Sequence, residues 1–186
     1  MKEVLNTRDY NTVITVRGAD GKLKKLWQEN KLGRAIRMLL NKEIRVPGLT
    51  GMPTFVMQSH NLIVNSGHAA ANAKMSGQGS YGDFTVIALG TGTTAAAATD
   101  TELETEITTG GGARATATAA QTTTDVANDT TTLTHTFTFS GAEAVTEEGI
   151  FDSTTVAGST MLAHQVFAAV NVQAGDSLSI SHSYQS

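Results

Sequence analysis

Residues 130–139 read TTTLTHTFTF. Leu133, His135, Phe137 and Phe139 fall on one side of an extended chain, and Thr132, Thr134, Thr136 and Thr138 on the other, because successive strand side chains point to opposite faces. The C-terminal stretch repeats the pattern, with Leu178, Ile180, His182 and Tyr184 alternating with Ser177, Ser179, Ser181 and Ser183. Residues 161–170 alternate Ala163, Gln165, Phe167 and Ala169 with Leu162, His164, Val166 and Ala168. Residues 144–151 give a shorter strand ending in Ile150 and Phe151, and residues 84–89 (FTVIAL) form an almost continuous apolar run of strand length. Short strands separated by Gly- and Asp-bearing turns such as Gln173-Ala174-Gly175-Asp176 predict a mainly β fold: an antiparallel β-sandwich, jelly-roll-like.

Composition agrees. The chain has 186 residues, enough for one core, of which 29 are Thr, 24 Ala and 18 Gly. Threonine favours strands, and only 16% of residues are charged, against about 25% in average domains. There is no cysteine, which excludes disulfides, thiolate metal sites and cysteine nucleophiles. No apolar run reaches the roughly 18 residues of a membrane span, and Met1-Lys2-Glu3-Val4-Leu5 lacks the apolar core of a secretory leader. A protein made and folded in a cytosol is the expectation, with no membrane partner.

The net charge of −4 conceals a split. Residues 1–74 carry 12 Lys and Arg against 5 acids, and residues 75–186 carry Arg114 alone against 12 acids. Within the basic part, Thr12-Val13-Ile14-Thr15-Val16-Arg17, a turn at Gly18 to Gly21, and a return through Lys22 to Trp27 predict a hairpin. Asn30 can cap a helix over 30–43 whose Leu32, Ile36, Leu39 and Leu40 share a face. Pro47-Gly48, Gly51 and Pro53 make 44–58 an irregular arm carrying Phe55, Met52 and Met57, and residues 65–76 predict a second helix ended by Gly77. Two regions follow: a basic α+β attachment region over 1–76, and a Thr/Ala/Gly-rich sandwich over 77–186.

Chemical motifs are scarce. His60, His68, His135, His164 and His182 have no metal-ligand spacing, and half-buried strand histidines are the better reading. No GxSxG elbow occurs, and Gly90-Thr91-Gly92-Thr93 lacks the lysine of a phosphate loop, so it reads as a tight surface turn. Glu102, Glu104 and Glu106, then Glu143, Glu147 and Glu148, lack the spacing of a calcium loop and predict a solvated or subunit-pairing acidic face. The basic residues lack a stacking platform for nucleic acid. Nothing in the chain predicts a catalytic residue, a metal or a cofactor.

The strings VITVRGADGKLKKLWQENKLGR (13–34), NLIVNSGHAAANAKMSG (61–77), IALGTGTTAAAATDTELETEI (87–107), ARATAT (113–118), ANDTTTLTHTFTFSGA (127–142), AVTEEGIFDS (144–153) and MLAHQVFAAVNVQAGDSLSIS (161–181) together resemble a family of tailed-bacteriophage virion structural proteins, described as decoration (cement) or tail-fibre-like. The resemblance covers most of the chain and implies a non-enzymatic β-domain with an N-terminal attachment region. No receptor-binding or hydrolase module follows the last strands, which favours a decoration protein on the outer capsid surface, assembled in the host cytoplasm and partnered with the major capsid protein lattice. Lattice symmetry makes a homotrimer the expected state. The candidate capsid contacts are Lys22, Lys24, Lys25, Trp27, Arg34, Arg37, Arg45, Phe55 and Met57. The candidate oligomer contacts are Phe137, Phe151, Phe167 and Tyr184. The other readings are a short tail-fibre, baseplate or head-fibre component, and a glycan-binding module using Trp27, Tyr81, Tyr184 and the Glu clusters.

Overall fold

The computed structural model describes residues 12–185. It is mainly β, with antiparallel sheets in a sandwich-like arrangement. The strands are β1 (Thr12–Arg17), β2 (Leu26–Glu29), β3 (Gly51–Thr54), β4 (Met57–Ser59), β5 (Leu62–Ile63), β6 (Val86–Gly90), β7 (Ala115–Thr116), β8 (Thr118–Thr122), β9 (Thr130–Thr138), β10 (Glu143–Phe151), β11 (Met161–Val172) and β12 (Ser177–Gln185). Two helices, α1 (Lys31–Leu40) and α2 (Asn65–Ser76), lie between β2 and β3 and between β5 and β6.

One five-stranded sheet runs β4-β1-β12-β9-β8 and the other β5-β11-β10-β6-β7. The main core fills the space between them: Ile14, Val16, Leu133, Phe137, Leu178 and Ile180 from the first sheet meet Ile87, Leu89, Ile150, Phe167, Val170 and Val172 from the second. The serines of β12 and the threonines of β9 lie on the outer face, where Thr136 Oγ1 and Ser179 Oγ pair at 2.7 Å. The second sheet is covered on both faces. Its outer side carries a smaller core of Val64, Val86, Ala88, Leu103, Phe151 and Met161. That is why β6 is a continuous apolar run while β12 alternates.

Several sequence expectations change here. The sandwich takes strands from both sides of residue 76, because β1 pairs with β12, β4 with β1, and β5 with β11; the supposed attachment region is built into both sheets. The hairpin expected over 11–27, of which residue 11 lies outside the described residues, closes only its turn, through Gly18 N–H to Lys22 O and Lys24 N–H to Val16 O. Beyond that, β2 leaves β1 and pairs with β3, so the arm over 44–58 contains two short strands. Phe137, Phe151 and Phe167 are all buried in the cores, and Tyr184 is half-buried against the main core. These residues close the protein's own interior, so they are not free for a second copy.

Candidate interaction surface

Helix α1 starts as its sequence suggests. The Asn30 side chain accepts from Gly33 N–H at 2.9 Å, and Asn41 ends the helix in the left-handed region. Its rotation, however, is set by other residues. A Cβ on Gly33 would stand 1.9 Å from Thr50 O, so the helix backbone rests directly on the Leu49–Thr50 turn. Arg37, 5% exposed, points inward and pairs with Glu29 through Nε at 3.0 and 3.1 Å. With Gly33 and Arg37 turned in, the apolar face is left outside: Leu32 is 48% exposed and Leu39 82% exposed. An amphipathic surface helix ordinarily does the reverse.

The inward-facing charges have a structural task. Strand β5 covers β11 only at Ala163 and His164, so the edge of β11 beyond them presents unpaired backbone groups, which must find partners. Side chains from the N-terminal part supply them. Arg37 Nη2 donates to Val166 O at 3.3 Å, Arg45 Nη2 to Ala169 O at 3.0 Å, and Lys24 Nζ to Asn171 O at 3.4 Å. Ala169 N–H donates to Glu43 Oε2 at 3.1 Å. Lys24 also pairs with Asp176 at 2.5 Å. Asp176 is held below its ordinary value because the Lys24 hydrogen bond and the Gln173 N–H outweigh the opposing effect of burial.

The candidate contacts therefore divide. Trp27 and Met57 are buried, as is Arg37. Lys24 and Arg45 are engaged on the β11 edge, with Arg45 also 5.9 Å over the Trp27 ring. Lys22, Lys25 and Phe55 are exposed and Arg34 is half-buried. Among the described residues Lys25, Lys31, Arg34 and Lys42 form no ion pair. Sequence reasoning missed the larger feature. Fifteen large apolar side chains are exposed among the described residues, and eleven of them lie within residues 23–56: Leu23, Leu32, Met38, Leu39, Leu40, Ile44, Val46, Leu49, Met52, Phe55 and Val56. Such a concentration marks an interaction site.

The acidic clusters divide: Glu102 and Glu104 are exposed, as a solvated face requires, whereas Glu147 and Glu148 are buried. Residues 101–108 form no strand, and two of the three glutamates bind the protein itself. Glu104 accepts from Thr93 N–H, Thr94 N–H and Thr94 Oγ1 at 2.7–2.8 Å, and these bonds hold its carboxyl below the usual range. Glu106 binds Arg114 through two bonds of 2.7 and 2.8 Å, and the Arg114 guanidinium stacks 3.7 Å over Phe151. Glu147 and Glu148 are both fully buried. Glu147 accepts from Gly92 N–H, Thr105 N–H and Glu104 N–H at 2.8–3.0 Å. The Gly90-Thr91-Gly92-Thr93 turn is thus a cradle for the protein's own carboxylates, and a Cβ on Gly90 would stand 2.3 Å from Glu147 Oε1.

No family model, curated protein or solved structure matches this chain.

The histidines fall into the same internal networks. Glu148 accepts from Gln165 Nε2 and, at 3.1 Å, from His182 Nδ1 across the space between the sheets. Asn61 Nδ2 lies 2.8 Å from His182 Nε2 and can donate to it. His164 sits between Glu147 and Asp100. His135 packs edge-on to Phe137 and His68 is exposed. No group of three or more metal-ligating side chains stands together among the described residues. Trp27 is buried and Tyr184 stacks on His182, so neither offers the open aromatic face a sugar site uses.

Proposed function

We propose that this chain is a non-enzymatic structural protein of a tailed-bacteriophage virion, a decoration protein that docks on the outer capsid surface and stabilises the shell. The observation that carries the docking reading is the outward apolar face of residues 23–56. Burying a Leu or Met side chain contributes about 1.5–3 kcal/mol, and this surface leaves eleven large apolar side chains open beside two buried cores. The sequence resemblance supplies the virion setting, and the inward-turned charges support a passive scaffold, since both buried glutamates are satisfied by internal donors. A homotrimer rests on lattice symmetry alone.

Location and copy number test this reading. Particles labelled with antibody to this chain should show label over the head, at on the order of hundreds of copies. Label at the tail, at roughly three to eighteen copies as closed rings give, contradicts a decoration role and selects the tail-component reading.

A further inference from the structure

A small cleft, with room for a single water-sized group such as one carboxylate oxygen, opens where α1, β2, β4 and β11 meet. Gln28, Glu29, Arg34, Arg37, Gln58 and Val166 are among its lining residues. Arg34 and Arg37 lie three residues apart on one helix, so they neighbour each other on its surface. Two arginines thus line the pocket against the single acidic residue Glu29. Glu29 is committed to Arg37 Nε, and Gln28 is committed to the Gln58 backbone through both ends of its amide. Arg34 forms no ion pair among the described residues. Arg37 Nη1 is buried and has no acceptor. A buried guanidinium N–H left unmet is destabilising, so it calls for an acceptor.

We propose that this pocket takes a carboxylate from the docked partner, which pairs with Arg34 and supplies the acceptor that Arg37 lacks. The inference rests on the docking reading above and deepens it by naming the partner's chemistry: an acidic side chain set beside apolar ones. Exposed apolar groups adjoin the pocket's lining. Met38 lies one turn beyond Arg34, Met52 is the cross-strand neighbour of Gln28, and Val56 precedes Met57. Exposed Lys25, Lys31 and Lys42 extend the positive charge around the same part of the chain. A second copy of this chain is a poorer match: Glu104, Glu106, Glu147 and Glu148 are bound internally, and exposed Glu102 stands between Thr101 and buried Leu103, with no exposed apolar side chain next to it in sequence. An acidic segment of a different protein, with apolar side chains beside the acid, matches both the charge and the exposed apolar groups of this face. Bidentate pairing of Arg with a carboxylate provides register as well as attraction.

The probe is sodium acetate, titrated into the full chain with sodium chloride as the control at equal ionic strength, following the arginine Nε–H resonances by NMR. The expected result is a saturable shift of the Arg37 or Arg34 signal with acetate in the millimolar range, absent with chloride and abolished for Arg37 in Arg34→Gln. An equal response to chloride, or an unchanged Arg37 response in Arg34→Gln, overturns the proposal. Binding to particles separates this failure from failure of the docking reading. Arg34→Gln should lower affinity about tenfold or more, and the double variant Leu39→Glu/Phe55→Glu should abolish binding. If only the double variant loses binding, the carboxylate pocket is wrong and docking stands. If the double variant binds like the parent chain, docking through this face is wrong and the pocket assignment falls with it.

Discussion

Glu147 and His164 face each other from β10 and β11, with Oε2 and Nε2 3.2 Å apart, and Asp100 meets the other ring nitrogen of His164 at 2.7 Å. Burial alone would lower the His164 value, but the hydrogen bonds and charges of Glu147 and Asp100 outweigh it and hold it above 6.5. Burial alone would raise Glu147, but His164 and the N–H groups of Thr105, Gly92 and Glu104 outweigh it and hold it below 4.5. Glu147 and His164 thus tie the loop around residues 91–105 to the second sheet.

This arrangement fixes a pH dependence. A raised histidine value stabilises the fold fully below its unfolded value, and that contribution is lost as pH rises through the folded value. A lowered glutamate value stabilises above its unfolded value, and that contribution is lost as pH falls through the folded value. Both are fully present between about 4.5 and 6.5. Amide exchange at Gly92 and Thr105, corrected for intrinsic rates, should be slowest in that window. His164→Gln should remove the loss on the alkaline side. Protection that is flat from pH 5 to 9 in the parent chain contradicts the clamp.

Removing the Glu147 carboxylate should be costly. Glu147→Ala leaves three backbone N–H groups and a buried imidazole without their acceptor. The expected loss is about 3–5 kcal/mol, the range for breaking a buried pair, read from denaturant unfolding. Gly90→Ala presses on the same carboxylate and should also destabilise.

Gly33→Ala inverts the usual helix rule. In an exposed helix interior the change stabilises by roughly 0.5–1 kcal/mol. Here the new Cβ meets Thr50 O at 1.9 Å, so α1 must lift from the turn it rests on. A net destabilisation of about 1–3 kcal/mol is expected, as for overpacking. A rise in thermal midpoint on Gly33→Ala contradicts the placement of α1.

Much of the fold was legible. The alternation in residues 130–139 and 177–184 gave both the strands and their core faces, and Asn30 and Gly77 marked a helix start and a helix end. What was hidden depends on partners far apart in sequence. Periodicity places Leu32 and Leu39 on one face of α1 but does not say which face is covered. That is decided by Arg37 reaching Val166, 129 positions away. Adjacent Glu147 and Glu148 read as solvated because charge is normally exposed, and their donors come from His164, His182 and backbone N–H groups across the sandwich. The candidate site was half legible: residues 23–56 were singled out for their charge, whereas their exposed surface is largely apolar.

Binding of the purified full chain to particles stripped of it, compared with Leu39→Glu/Phe55→Glu, tests the docking face most directly. Both side chains are exposed, at 82% and 46%, so the double variant should fold with stability changed by no more than about 0.5 kcal/mol per site. Loss of binding with an unchanged thermal midpoint is the predicted result. Binding equal to that of the parent chain would contradict the account.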